Sequence, residues 1–192
     1  MNTVDVTEAK FSIFEAGINK PSGQQPSRQG TLQDVWNLMN SERMVKLTKE
    51  LRALTDVKEQ RRFKADCLPF VTFSGQFSYR NERSLIAHSA LQCFDFDHVD
   101  SADELRRIRE SLLNDPVFET DLLFVSPRGN GLKWVTHVDL ARGEHKMWYQ
   151  AIRHYLAKTY GIEADPAPSS VCSACFLCHD PNMVICEPLR PF

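Results

Sequence analysis

Leu91-Gln92-Cys93-Phe94-Asp95-Phe96-Asp97 decides how this chain is read. An apolar approach gives way to acids alternating with aromatics, the period-two pattern of a β-strand. Residues two apart on a strand project from one face, so Asp95 and Asp97 emerge together, about 7 Å apart. Like charges at that spacing repel unless a cation sits between or above them. Closely spaced carboxylates suit a hard divalent cation, Mg²⁺ or Mn²⁺. A strand end whose acids simply face water is the plain alternative.

Working outward, residues 68–75 read as a strand ending at the Gly75 turn, and 77–80 as extended, with Asn81 opening a turn. Ser101 begins a helix with Glu104 three residues on as a capping box, and Leu105, Ile108 and Leu112 face inward until Asn114-Asp115-Pro116 stops it. Residues 122–125 form a buried strand, Ser126-Pro127-Arg128-Gly129-Asn130-Gly131 a turn, and 132–138 the paired strand. A long helix over 144–160, with Trp148, Ile152, Tyr155 and Leu156 inward, stops at Gly161. A last strand, 175–178, ends at His179-Asp180-Pro181-Asn182.

Toward the N-terminus, a strand lies within 7–14, and the Pro-, Gly- and Ser-rich segment 18–30 reads as a loop. Thr31 caps a helix bearing Leu32, Val35, Leu38 and Met39, with Asp34 in its first turn. The spacing of Met44, Leu47, Leu51 and Leu54 predicts one helix over about 41–63. Its polar side carries Lys46, Lys49, Arg52, Lys58, Arg61 and Arg62, followed by Lys64. That face is a solvated surface or a phosphate contact.

The chain has 192 residues, 42% hydrophobic and 25% charged, enough for one domain with a core. A formal net charge of −2 gives no global signature of nucleic-acid binding, so a local basic patch would have to carry any such contact. No run of 18 apolar residues exists and no leader-like start, which points to a cytoplasmic protein without membrane contact and with reduced cysteines. The proline-punctuated tail reads as the edge of a longer natural chain.

Cys67 and Cys93 lie singly in apolar surroundings, as small buried thiols do. Cys172, Cys175, Cys178 and Cys186 have spacings that raise a zinc or iron–sulfur site. The competing reading makes Cys175 and Cys178 ordinary strand residues, since all four ligands would fall within fifteen residues.

Three features then fall at strand ends or turns: Asp95 with Asp97, the 126–133 turn, and Asp180. Two acids on one strand and one from another are what a two-metal phosphoryl-transfer centre requires. Gly129 and Gly131 let backbone N–H groups approach an anion, and Ser126, Asn130 and Lys133 add donors; the same turn is also a good hairpin loop. Arg80 and Arg83 are candidate phosphate contacts. His88 and His145 read as structural, and Trp36, Trp134 and Trp148 as core anchors, with Trp134 also placed to stack on a base.

The order of these pieces resembles the VirE N-terminal domain family of the archaeo-eukaryotic primase superfamily, over about residues 7–192. The resemblance rests on the DxD strand, Ser-Pro-x-Gly-Asn-Gly-Leu-Lys and Cys-Phe-x-x-x-Asp-Pro, supported by Phe73 to Phe77, Arg80, His88-Ser89 and His145. It implies an α+β fold, a single domain with an N-terminal α/β unit over about 1–85 and an RRM-like antiparallel or mixed sheet over about 86–192. It implies a nucleotidyltransferase adding nucleotides on a template in mobile-element or phage DNA replication. Asp95, Asp97 and Asp180 would be catalytic and hold Mg²⁺ or Mn²⁺. Ser126, Arg128, Gly129, Asn130, Gly131, Lys133 and Arg80 would bind the substrate. Partners would be a nucleoside triphosphate, a single-stranded DNA template, and a helicase-like region of the same polypeptide or replication proteins. The chain departs from the pattern at Lys133, where relatives carry histidine, and at Ala174, where they tend to carry arginine. Those departures leave a catalytically impaired nucleotide- or nucleic-acid-binding module as the alternative.

Overall fold

The computed structural model describes residues 5–97, 99, 101–186 and 189. The leader reading of residues 1–4 and most of the proline-punctuated tail lie outside that range. The fold is a mixed α+β arrangement, with five α-helices and ten strands among the described residues.

The first sheet has the order β2-β1-β3-β9, with β1 at Phe11–Phe14, β2 at Arg28–Gly30, β3 at Phe70–Thr72 and β9 at Cys175–Phe176. All its pairs are antiparallel. The segment 18–30 is thus not only loop: its end turns back as β2, with Gly30 opposite Phe11. A Cβ on Gly30 would lie 2.4 Å from the Ile13 side chain, so glycine admits the close approach. A two-stranded ribbon, β4 (Gly75–Phe77) with β5 (Leu85–His88), hangs beside it. Sequence pattern gave no sign of β5, whose partner-facing register depends on its neighbour.

The second sheet has the order β10-β7-β8-β6, with β6 at Leu91–Phe96, β7 at Leu122–Val125, β8 at Leu132–His137 and β10 at Val184–Ile185. All three pairings are antiparallel, so β6 and β7 run parallel with β8 between them.

Helix α1 (Leu32–Met39) starts where the Thr31 N–H donates to Asp34 Oδ2 at 2.8 Å. The single helix expected over 41–63 is two: α2 (Glu42–Ala53) and α3 (Val57–Cys67). Asp56 accepts the N–H groups of Lys58 and Glu59 at 2.8 and 2.9 Å, so its carboxylate starts a new helix rather than continuing the old one. Helix α4 (Ala102–Leu113) carries the Ser101 cap, and α5 (His145–Tyr160) ends at Gly161 in the left-handed region, φ 64°.

Alternation on β6 and β8 sorts two cores. Phe94, Phe96, Leu132 and Trp134 face α4 and α5, meeting Ile108, Leu112, Tyr149, Ile152 and Leu156. The opposite face carries Leu91, Leu122, Phe124 and Val135 against Phe11, Ile13, Val71 and Cys175 of the first sheet and Leu32 and Val35 of α1. Asp95 and Lys133 lie on this inner face, where the sheets meet. No helix among the described residues is long and apolar enough to cross a membrane.

Candidate functional site

Asp95 and Lys133 are directly opposed across β6 and β8. Their side chains form an ion pair, with side-chain exposures of 16% and 9%. Burial pulls the Lys133 ammonium down, but the Asp95 carboxylate beside it outweighs this and holds it above its ordinary value. Burial lifts the Asp95 carboxyl against the pull of Lys133. Only one Asp95 oxygen meets the lysine. The other, Oδ1, is buried without a hydrogen-bond partner among the described residues. Asp95 borders a cavity of about 10 Å³, room for roughly one water-sized group, whose wall includes Ser74, Cys93, Ser173, Ala174 and Cys175.

Asp97, two residues on, is exposed. Lys64 reaches this mouth from the last turn of α3, its ammonium 5.0 Å from the Phe176 ring centroid. Burial lowers its pKa first; the like charges of Lys133 and Arg128 lower it further, while Asp97 and Asp95 pull the other way. Lys64 of α3 therefore feels a cation from β8, another from the β7–β8 loop, and two acids.

The 126–131 loop is a closed hairpin. The Ser126 N–H donates to the Gly131 carbonyl and the Gly129 N–H to the Ser126 carbonyl, both at 2.8 Å. Those two donors are engaged inside the turn, which narrows its use as an anion nest. Gly129 has φ 87°, and a Cβ on Gly131 would lie 2.3 Å from the Phe96 carbonyl oxygen. The Asn130 carbonyl accepts from the Val99 N–H at 3.1 Å. Arg52, at the end of α2, donates to the carbonyls of Pro127 and Ser126 at 3.1 and 3.3 Å and so positions the loop.

Asp180 stands elsewhere. Its carboxylate accepts the Val125 N–H at 2.8 Å and the Asn182 N–H at 2.9 Å. The Ser126 N–H points toward β8, so that of Val125 points toward β10. Asp180 is thus separated from Asp95 by β7 and β8, three strand spacings or roughly 14 Å. It closes the turn before β10. Among the described residues no three His, Cys, Asp or Glu side chains are grouped to hold a metal ion. A two-metal centre on Asp95, Asp97 and Asp180 does not fit this arrangement: one Asp95 oxygen is paired with lysine, and both Asp180 oxygens take backbone N–H groups.

Arg80 is held by other partners. Its Nε donates to Gln24 Oε1 at 3.1 Å and its guanidinium lies 6.0 Å from the Phe70 ring centroid. It borders a surface cleft with Arg83 and Cys172. Trp134 is fully buried on the helix-packed face, and its Nε1–H donates to Thr120 Oγ1 at 2.8 Å, so it offers no surface to a base. The four C-terminal cysteines do not converge. Cys178 Sγ donates to the Val125 carbonyl at 3.1 Å, and burial pushes its thiol up to about 12. Cys172 lies beside Ser170 Oγ at 3.2 Å. His88 Nε2 and His145 Nδ1 are 3.1 Å apart. Lys64 and Arg52 show only as parts of a basic helix face in the sequence, because spacing assigns a face but not the distant loop it meets.

The fold and this mouth define an α+β domain with a cation-rimmed, acid-floored opening between two sheets. The model of the BT4734-like, N-terminal domain family matches residues 62–184, and the chain belongs to that family. This corrects the resemblance to the VirE N-terminal domain family and the primase superfamily, since the matching family is a different one. The activity and partners that resemblance implied lose that support. No curated protein and no solved structure gave a match.

Proposed function

We propose that the chain is a phosphate-binding module for nucleotides or nucleic acid. The observation that carries this is the meeting of Lys64, Arg128 and Lys133 from three separate elements. Like charges gathered at a half-buried point oppose folding, and a bound anion offsets that cost. Perturbed charges gathered in an opening are a common mark of a binding site. Arg52, whose guanidinium fixes the loop carbonyls, adds a fourth positive charge. A nucleoside triphosphate or the backbone of a single strand supplies the matching negative charge.

Titration calorimetry with a nucleoside triphosphate, and anisotropy with a labelled single-stranded oligonucleotide, test this. Lys64→Met with Arg128→Ala should weaken binding at least ten-fold and flatten its salt dependence, since each phosphate contact contributes about one unit to the salt slope. If the unaltered chain binds neither ligand at low salt, the reading fails.

A second reading, metal-dependent nucleotide addition with Mg²⁺ or Mn²⁺, is favoured by Asp97, which is exposed just past the end of β6 and two residues from Asp95. The elements of the second sheet follow one another as β6-α4-β7-β8-α5-β10, with β9 of the first sheet inserted before β10, which resembles the chain order of a split βαβ unit, although β6 lies at a sheet edge. Incorporation of labelled nucleotide on a primed template, abolished by Asp97→Ala, would select it over simple binding.

A further inference from the structure

The acid pair at the mouth has the residue types of a cation site, yet a cation of the protein's own already sits there. We infer that Lys133 is a built-in cation, its ammonium standing against Asp95 where a divalent ion would bind, so that the mouth excludes metal from Asp95.

Four observations support this. Asp95 and Lys133 are opposed across adjacent antiparallel strands, so backbone geometry fixes their separation. Lys133 is 7% exposed, with Phe124 opposite it on β7. It has no route to solvent comparable to that of a surface lysine. Neutralisation at this point is therefore permanent rather than dependent on ion concentration. Asp95 borders a space too small for an ion with its waters, since Mg²⁺ retains several, and its Oδ1 is buried without a partner among the described residues. Finally, Asp180, the acid that could have completed a ligand set, is held across β7 and β8 by two backbone N–H groups. A lysine is a compact point charge on a flexible stem. It can balance one carboxylate, but it cannot bridge a carboxylate and a phosphate as a divalent ion does. The inference concerns the same site as the proposed function, but its readout contains no phosphate, so the two can fail separately.

The test is Mn²⁺ titration of the full chain followed by electron paramagnetic resonance, without nucleotide. The unaltered chain should leave the free-ion signal unchanged at millimolar Mn²⁺. Lys133→Met should bind Mn²⁺ at least ten-fold more tightly, and adding Asp95→Asn should remove that gain. Where Lys133→Met does not fold, the unaltered chain answers by reductive methylation read by mass spectrometry. Lys133 should stay unmodified while exposed lysines such as Lys58 react, and millimolar Mn²⁺ should not change this. Overturning results are Asp95-dependent Mn²⁺ binding by the unaltered chain, a folded Lys133→Met that binds no more than the parent, or Lys133 methylation that appears on adding Mn²⁺.

Discussion

The two ends of β8 carry two acid–base pairs that behave oppositely. At one end Lys133 meets Asp95. At the other, His137 Nδ1 lies 3.0 and 3.1 Å from the two oxygens of Asp121. Lys133 and His137 are four residues apart, so they share a strand face. The hydrogen bond His137 donates to Asp121 raises the histidine, against burial, with the Asp121 and Glu119 charges assisting. The lysine end is charged at any ordinary pH. The histidine end is held above its ordinary value of 6.5, so one strand carries a fixed charge at the mouth and an adjustable one at its far end.

The largest expected effect breaks the fixed end. Lys133→Met leaves Asp95 buried and unpaired, and removing one partner of a buried pair costs about 3–5 kcal/mol. Urea unfolding should show that loss, with most of it recovered in Lys133→Met/Asp95→Asn, because replacing both charges restores neutrality. A double variant no more stable than the single one would mean the pair is not the source of the loss.

The next effect sharpens the contrast on the helix-packed face. His145 receives contacts at Nδ1 from His88 and Gln92, both at 3.1 Å. Burial first, then the His88 charge, bring it from 6.5 down to about 4. A folded pKa below the unfolded one means that acid favours unfolding, since the open chain takes the proton first. Stability should be full above pH 6.5 and fall by about 3 kcal/mol as pH drops through the window to 4. Thermal melts at successive pH values check this, and His145→Gln should flatten the slope in that window.

Gly131→Ala tests the entrance to β8. The added methyl would lie 2.3 Å from the Phe96 carbonyl oxygen, so backbone must shift. A cost of about 1–3 kcal/mol is expected for such overpacking. Phosphate binding should weaken with it, because the same shift moves Asp97 and the loop that carries Arg128. A variant with full stability and binding would show that the strands are free to part here.

Much of this was readable before folding. The alternation at Phe94-Asp95-Phe96 gave the bounds of β6 and put Asp95 on the face opposite Phe94, and the Ser101 cap and Gly161 marked the helix ends. The burial of Trp134 followed from its place in an apolar strand. What stayed hidden depends on sequence-distant partners. Lys133 looked like a free donor because nothing in its neighbourhood reveals that β8 sets it opposite Asp95. Asp180 looked like a ligand because an acid after a strand gives no hint that a backbone N–H 55 residues away already holds it. The family resemblance compounded this by assigning roles to motifs in order along the chain, whereas order does not fix which side of a strand a residue reaches.

The smallest effect concerns the adjustable end. Asp121→Asn keeps the shape beside His137 but removes the charge that favours its protonation. The histidine pKa, followed by NMR of the ring protons, should fall back toward 6.5. The sign is opposite to that at His145. A folded pKa above the unfolded one gives stability that is present below pH 6.5 and lost as pH rises through the folded value. For a pair with the histidine side chain 27% exposed the contribution is about 1 kcal/mol. The acid limb set by His145 lies below pH 6.5 and the contribution of His137 is lost above it, so Asp121→Asn should leave the acid limb in place and remove the fall in stability on the alkaline side. If that variant instead leaves the His137 titration where it was, Asp121 does not hold the charge at this end, and the contrast between the two ends of β8 reduces to the lysine pair alone.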